Sequence, residues 1–391
     1  MAEWNEYTVA DVISTVIDYR GKTPKKLGGD WSDHGYRALS AKNVKTGKIV
    51  NPDSIRYVSQ ELYNNWMKEE IEKEDILITS EAPFGQIYYW DSDEKIVLSQ
   101  RLFAVRICKE FYPKYIYFYM TSSAFQAELN SRATGTTVTG LRQPELLKCK
   151  ILAPDYNEQK RIADILWSIE KKIDLNEEIN NNLAEQAISL FRRYYDQATD
   201  EVCFTDLIQI LGGGTPKTTC EAYWNGEIPF FTPKDVGYPY VLSTEKYITE
   251  NGLANCNSRL YPINTVFVTA RGTVGKISMP GIPMAMNQSC YALVGKNIPQ
   301  LLVYFYTLQT VAKLKHKAMG AVFDAITTRD FETEQVRRLD NAVANEFIGI
   351  VEPIYKQILS LTMENQKLVE LRDAILPKLM SGDLDVSAVK I

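Results

Sequence analysis

Three glycines precede Lys217 and Thr218 in the segment LGGGTPKTT (residues 211–219), and this pattern is close to a loop that holds nucleotide phosphates. A nucleotide-binding P-loop needs a glycine directly before its lysine, so that backbone N–H groups can wrap around the phosphates. Here Pro216 occupies that position, which fixes the local φ and removes an amide donor. The segment therefore argues against a nucleotide-binding site.

Other catalytic patterns are equally weak in this sequence. The two histidines, His34 and His316, stand apart, and a Ser-His-Asp triad needs a histidine beside its nucleophile. Carboxylates suited to a metal-dependent nuclease come nearest at Asp53 and at 93–95, with loose spacing. DNA methylation would need a glycine-rich AdoMet loop and an Asn/Asp-Pro-Pro-aromatic site, and neither pattern occurs. The six cysteines form no C-x-x-C pair, so we expect reduced thiols and no metal site.

Polar and basic side chains at glycine turns are the remaining candidates for chemistry. Lysine, arginine and threonine in RGTVGK (271–276), SRATGTT (131–137) and KLKHK (313–317) suit phosphate oxygens, whereas asparagine and glutamine amides suit base edges. Because such residues recur at matched places in both halves of the chain, we predict a DNA-contacting surface. The candidates are Lys25, Lys26, Lys42, Asn43, Gln86, Gln100, Arg101, Arg132, Thr134, Thr136, Arg142, Thr215, Lys217, Lys234, Arg271, Thr273, Lys276, Gln288, Lys317 and Arg329.

An internal repeat decides which elements position these residues. RGKTPKK at 20–26 matches GGGTPKT at 212–218, and Lys42-Asn43-Val44 matches Lys234-Asp235-Val236 at the same offset. Short apolar runs between Gly and Pro turns predict a mixed α/β (α+β) fold for each globular region. The predicted organisation is a globular domain at 1–154, a helix at 155–198, a second globular domain at 199–340, and a distal helix with the C-terminal tail at 341–391.

The two helices carry apolar residues at alternating spacings of four and three, which is typical of a coiled-coil seam. Asp155 and Glu158 form a capping-box pattern before the first helix, and Pro353 and Pro377 predict a bend or a displaced start in the second. Rods of ~60 Å exceed the width of a domain, so we expect them to pair antiparallel in a pseudo-twofold arrangement. The predicted seam is Ile162, Leu166, Ile169, Ile173, Asn180, Leu183, Leu190, Val351, Ile354, Ile358, Leu361, Asn365, Leu368 and Ile375. Asn180 and Asn365 occupy equivalent positions and would fix the register if they meet.

Charge and hydropathy limit the location and the mode of binding. The net charge of −5 argues against a surface that coats nucleic acid throughout. The N-terminus has no signal-peptide pattern, and the chain has no apolar run of membrane-spanning length. We therefore expect a cytoplasmic protein that associates with the nucleoid when bound to DNA.

With these features together, the chain resembles the DNA-specificity (S) subunit of a bacterial type I restriction-modification system over nearly its whole length. The resemblance is carried by GKTPKK, by GGGTPKTT, by TGTTVTGLRQPELLKCKILAPDYNEQKRIADIL and by LVELRDAILPKLMSGDLDV, in that order. It implies that the globular domains at 1–154 and 199–340 are target-recognition domains, each of which reads one half of a bipartite target in double-stranded DNA. It also implies that the helices set the spacing and dock two methyltransferase (M) subunits, which restriction/translocase (R) subunits join.

The resemblance implies that this chain catalyses nothing and binds no cofactor, and that AdoMet, ATP and Mg belong to the partner subunits in DNA methylation and restriction. Two other classes of function remain open from the residues alone. A self-contained DNA-modifying or DNA-cleaving enzyme would act on DNA without partners. A coiled-coil interaction module that never touches bases would show no dependence on DNA sequence.

Overall fold

The computed structural model describes residues 4–134, 140–317 and 325–386. The chain divides into two compact units, one formed by Met1–Lys172 with Leu368–Ile391 and the other by Ile173–Lys367. Each unit therefore contains a globular region and part of both long helices. In the part of the chain that is described, no helix combines the length and apolar character needed to cross a bilayer.

The first unit is organised around a four-stranded antiparallel sheet in the order β2-β10-β7-β8. A three-stranded sheet, β6-β3-β9, and the pairs β1-β11 and β4-β5 complete it. The strands are β1 (Asn5–Thr8), β2 (Ile13–Asp18), β3 (Tyr36–Leu39), β4 (Val44–Lys45), β5 (Lys48–Ile49), β6 (Arg56–Val58), β7 (Ile76–Thr79), β8 (Ile87–Tyr89), β9 (Ile96–Leu98), β10 (Leu102–Ile107) and β11 (Lys150–Ala153). The helices are α1 (Val9–Val12), α2 (Gln60–Trp66), α3 (Pro113–Thr121), α4 (Ser123–Ser131), α5 (Gln143–Leu147) and the start of α6 (Tyr156–Gln197).

The second unit repeats this plan with a five-stranded sheet in the order β13-β20-β17-β18-β15, a three-stranded sheet β16-β14-β19 and the pair β12-β21. Its strands are β12 (Asp200–Cys203), β13 (Ile208–Gly212), β14 (Trp224–Phe231), β15 (Tyr240–Val241), β16 (Tyr247–Ile248), β17 (Val266–Thr269), β18 (Ile277–Pro280), β19 (Ala285–Met286), β20 (Cys290–Gly295) and β21 (Gln335–Arg338). Its helices are α7 (Phe204–Leu207), α8 (Glu250–Ala254), α9 (Gln300–Lys317), α10 (Thr328–Glu332) and α11 (Asn341–Ser381), and α11 ends in the first unit.

An inner strand of each main sheet, β7 or β17, is apolar up to its final threonine because both of its faces are buried. In β7, Ile76 and Ile78 belong to one apolar core, whereas Leu77 belongs to another. In β17, Val268 and Phe267 likewise face different cores. Since successive side chains of a strand point to opposite faces, a strand between two cores reads as a continuous apolar run.

The two long helices begin in the same way and pair antiparallel. Asp155 Oδ1 accepts from the backbone N–H of Asn157 at 2.9 Å, and Asp340 Oδ1 accepts from that of Ala342 at 2.9 Å. Within the first unit, the start of α6 meets the end of α11, where the Arg372 guanidinium lies 2.8 Å from the carboxylate of Glu170. Within the second unit, later residues of α6 meet earlier residues of α11. The caps explain why both helices start at matched positions.

Asn180 and Asn365, which would fix the register if they met, have different partners in the structure. Asn176 Nδ2 donates to Asn365 Oδ1 at 2.8 Å, whereas Asn180 Nδ2 lies 3.3 Å from Thr362 Oγ1. In an antiparallel pair of repeated helices, repeat-equivalent positions of the two helices face each other only at the centre of the pair. A position before the centre of one helix faces a position after the centre of the other. Asn180 and Asn365 are equivalent in the repeat, so they lie on opposite sides of that centre.

The predicted seam residues are all buried or half-buried. In the second half of α6, however, Ala184, Ala187 and Phe191 are the fully buried side chains, and Leu183 and Leu190 flank them. A straight helix drifts relative to a strict heptad, and the shift by one residue follows from that drift. Of the two outcomes predicted at Pro353 and Pro377, a displaced start is wrong, since α11 is continuous from Asn341 and both prolines are exposed, and a bend stays a prediction.

Candidate nucleic-acid interface

An open groove of about 910 Å³ lies at one end of the main sheet of the first unit, and we call it the strand-end groove. Because the strands are antiparallel, the end of β2 meets the start of β10, which in turn meets the end of β7. The register pairs Asp18 with Phe103 and Leu102 with Thr79. The segments that extend beyond these strands supply the lining. The groove is lined by Asp18, Arg20, Gly21, Thr23, Lys26, Ser80, Glu81, Gln100, Arg101, Thr134, Gly140, Leu141 and Arg142.

Five predicted DNA contacts come together in this groove although they are distant in sequence. They are Lys26, Gln100, Arg101, Thr134 and Arg142. Among the other lining residues, which sequence reasoning missed, are Arg20 and Thr23. Both lie in the repeated segment RGKTPKK, from which the predicted DNA contacts include only Lys25 and Lys26.

The charges in the strand-end groove are held in fixed positions. Asp18 clamps the Arg20 guanidinium, with Nη2 at 2.6 Å from Oδ2 and Nε at 2.9 Å from Oδ1, and the guanidinium lies 4.8 Å above the ring of Phe103. Arg101 Nε lies 2.9 Å from Glu81 Oε1. Four cationic side chains line the groove against two carboxylates, a surplus that favours a phosphate backbone nearby.

The corresponding end of the sheet in the second unit explains the glycines of LGGGTPKTT. A Cβ on Gly213 would lie 2.0 Å from the carbonyl oxygen of Asn287, and one on Gly214 would lie 2.5 Å from the backbone nitrogen of Asn257. Both glycines are therefore required for close packing of the backbone against neighbouring segments. Thr215 donates a hydrogen bond to Gln288, and Lys217 is exposed beside this contact.

Three more predicted residues lie along a separate groove of about 760 Å³ in the second unit, where Lys234, Thr273 and Lys276 border an apolar floor. Lys315 also lines this groove, and its burial together with the charge of Lys276 holds the pKa of Lys315 below its ordinary value. Lys234 lies 3.7 Å from Glu245. The remaining exposed candidates are Lys25, Lys42, Arg271 and Arg329, and Thr136 lies outside the described residues.

Asn43 was predicted to read a base edge, and the structure contradicts this. Its side chain is completely buried, its Oδ1 accepts from the backbone and hydroxyl of Ser40, and its Nδ2 donates to Ser54 Oγ at 2.9 Å. The matched residue Asp235 accepts from Thr232 in the same manner. The motif therefore recurs because both units cap the same turn.

Three further predicted contacts are engaged within their own units. Gln86 Oε1 accepts from the backbone N–H of Thr46 at 3.0 Å. Arg132 Nε donates to Glu128 at 2.8 Å, and Lys317 is tied to the buried carboxylate of Glu334 at 2.5 Å. These contacts contribute to the local structure, and a DNA contact at these three residues stays a prediction.

Replacing Asn43 with alanine is expected to lower the free energy of unfolding by about 1–3 kcal/mol, because its half-buried partners Ser40 and Ser54 lose their hydrogen bonds. Base preference should be unchanged, since the side chain does not reach the surface. Urea unfolding and mapping of methylated bases check the two effects. Gln100→Ala is the matched control, because its amide is exposed and its loss should have little effect on stability. A changed target sequence in Asn43→Ala would contradict the structural role of Asn43.

Among the residues that the structure describes, no group of three or more His, Cys, Asp or Glu side chains is placed to hold a metal ion.

The fold and the grooves define a duplicated α/β recognition scaffold in which each globular region adjoins long paired helices. The family model described as type I restriction modification DNA specificity domain matches residues 1–185 and 198–337. The chain therefore belongs to this family, and the predicted specificity subunit is confirmed. The alternative of a self-contained enzyme gains no support from these matches.

Similar proteins support this assignment at several levels of coverage. The HindI specificity subunit of Haemophilus influenzae is 20% identical over 481 residues, covering 98% of this chain and 100% of the relative. The MjaIX specificity subunit of Methanocaldococcus jannaschii is 32% identical over 124 residues, which span 30% of this chain and only 29% of that relative. The crystal structure of an S subunit from M. genitalium matches with a TM-score of 0.58 and 16% identity, covering 97% of this chain and 96% of that one. This last likeness supports the fold alone.

Proposed function

We propose that this chain reads a bipartite target in double-stranded DNA, with each globular region reading one half. The observation that carries the proposal is a shared set of backbone hydrogen bonds with different side chains at the end of each main sheet. Where the first unit has Arg101, and Glu81 after the bonded Ser80, the second has Ser289, and Arg271 after the bonded Ala270. In the first unit, Ser80 N donates to Arg101 O and Leu141 N donates to Ser80 O. In the second unit, Ala270 N donates to Ser289 O and Ile326 N donates to Ala270 O.

The long helices would set the spacing of the half-sites and dock two methyltransferase subunits, which restriction/translocase subunits would join. Exposed large apolar side chains on these helices support a docking role, because a partner that covers them removes apolar surface from water. They include Tyr156, Leu175, Ile350, Met363 and Leu371. AdoMet, ATP and Mg would be bound by those partners, and this chain would bind none of them.

The partners would also supply much of the affinity for DNA. Residues 1–155 and 200–341 are each near neutral in formal charge. Affinity for DNA grows with the number of phosphates that a protein neutralises, so a near-neutral chain alone would bind weakly. The complex would act on DNA in the cytoplasm.

Deleting residues 175–181 together with residues 360–366 tests the spacing role. These segments contain the bonded asparagines and Thr362, so the deletion removes this polar layer as a whole and keeps the apolar seam in phase. Each helix loses about 10 Å at 1.5 Å per residue, which equals about three base pairs at 3.4 Å. We expect both half-sites to be retained with a spacer about three base pairs shorter.

The measurement is a map of methylated bases in a host that expresses the chain with its methyltransferase partner. A host without the chain is the control and should show no methylation at the bipartite sequence. Changed half-sites with an unchanged spacer would contradict the spacing role. Methylation that does not depend on the half-site sequences would instead favour an interaction module that never touches bases.

A further inference from the structure

Arg101 has an unusual backbone conformation for its residue type. Its φ is +61°, in the left-handed region, and it is the only residue with positive φ among the described residues that line the strand-end groove. Two tertiary hydrogen bonds hold the segment in place, from Ala41 N to Gln100 O at 3.1 Å and from Ser80 N to Arg101 O at 2.8 Å. A non-glycine residue persists in this region when its surroundings determine its conformation, and such residues cluster at functional sites.

The Arg101 side chain is also directed by a carboxylate. Its Nε lies 2.9 Å from Glu81 Oε1, and the arginine side chain is about half exposed. On the other side of Glu81, a Cβ built on Gly140 would lie 3.6 Å from Oε2. Because the ion pair is made through Nε, the terminal amino groups of the guanidinium remain suited to donate to another molecule.

This arrangement suits a base edge better than a phosphate. A phosphate beside Arg101 would also face the Glu81 carboxylate, which repels it. A guanine edge carries no net charge and presents the acceptors O6 and N7, which match the two-pronged guanidinium. A phosphate contact needs only a cation within reach, whereas a base contact needs a fixed direction.

We propose that Arg101 reads a guanine in the half-site of the first unit and that Glu81 positions it. The inference rests on the proposed function. In the second unit the matched backbone hydrogen bonds hold Ser289 in place of Arg101 and Arg271 in place of Glu81, and Ser289 does not share the positive φ of Arg101, so this guanine contact belongs to one half-site only.

The test uses the chain expressed with its methyltransferase partner, with methylated bases mapped for the wild type and for variants. Arg101→Ala should make one G·C pair of the first unit's half-site degenerate, with discrimination at that position reduced about 10- to 100-fold. Arg101→Lys keeps the charge and lacks the fork, so it should lose the same discrimination. Glu81→Gln should relax the same position partially.

Two controls separate the base contact from other effects. Arg101→Gly relieves the left-handed backbone, so its Tm should equal or exceed that of the wild type while the base preference is lost. Arg271→Ala in the second unit should leave the first half-site unchanged. A degenerate position in Arg101→Ala and Arg101→Gly alike supports the proposal and shows that misfolding is not the cause.

Three results would overturn the proposal. A near-normal Arg101→Lys, combined with a uniform loss of affinity and a lower salt slope in Arg101→Ala, would identify a phosphate contact. A first half-site without any specified G·C pair would also exclude the guanine. After either of these two results, the proposed function still stands if the wild type methylates a bipartite sequence. The third result is a wild type without sequence preference, which would overturn the guanine contact and the proposed function together.

Discussion

Exchanging residues 1–155 for the same region of another family member is expected to replace one half of the methylated sequence and leave the other half and the spacer unchanged. The residues that line the strand-end groove all lie within this segment. The junction falls at Asp155, the cap of α6, so the helix itself is retained. Since specific sites bind typically 10³-fold or more tightly than non-specific DNA, the change should appear as a complete switch of that half-site.

The exchange must preserve the contact between the globular region and the long helices. In the first unit, Ile162, Leu166 and Leu379 belong to the same apolar core as the sheet, so the donor region needs compatible side chains against them. The matched control exchanges residues 199–340 and should change the other half only. If either exchange altered both halves, the assignment of one half-site to each unit would be wrong.

Replacing Arg106 with methionine is expected to lower the free energy of unfolding by about 3–5 kcal/mol, because a buried carboxylate loses its cation. The side chain of Asp75 is 1% exposed, and Arg106 binds it with Nε at 2.9 Å and Nη2 at 3.0 Å. This hydrogen bonding raises the pKa of Arg106 above its ordinary value. Methionine fills much of the volume of the Arg106 side chain. The loss of unfolding free energy therefore reports mainly the unpaired charge of Asp75 and only to a small extent a cavity. Equilibrium unfolding in urea, followed by circular dichroism, gives the value.

Arg338→Met provides the matched control at an exposed ion pair. Arg338 Nη2 lies 2.6 Å from Asp200 Oδ2, but both side chains are about half exposed. Exposed pairs contribute little because water screens them, and the expected loss is below about 1 kcal/mol. Equal losses in the two variants would show that burial does not determine the contribution of Asp75.

The repeat predicted much of the architecture because it is a periodic property of the chain itself. The predicted helix at 155–198 is observed at Tyr156–Gln197. The predicted distal helix with its tail at 341–391 is observed as a helix at Asn341–Ser381. The caps at Asp155 and Asp340 are local signals, and local signals are readable in sequence. The seam was less accurate in the second half of α6, because small drifts of a straight helix accumulate over many turns.

The candidate site was only partly predictable because non-local strand pairing creates it. Asp18, Glu81 and Arg101 belong to three strand ends, and only the sheet order brings them together. Asn43 illustrates the opposite error, since a repeated polar residue was interpreted as a surface contact when it recurs to cap a turn. Residue type and recurrence alone cannot separate these two roles.

The matched backbone hydrogen bonds at the two sheet ends have a consequence for the evolution of new specificities. The bonds that hold the groove segments are made by main-chain atoms, which every residue type except proline can supply. If these positions read bases as proposed, substitutions at 81, 271 and 289 would alter recognition with little cost to folding, whereas position 101 would favour residues that tolerate a left-handed backbone. A population would then sample new target sequences through single codon changes at these positions, while the rest of the protein remains under selection for stability.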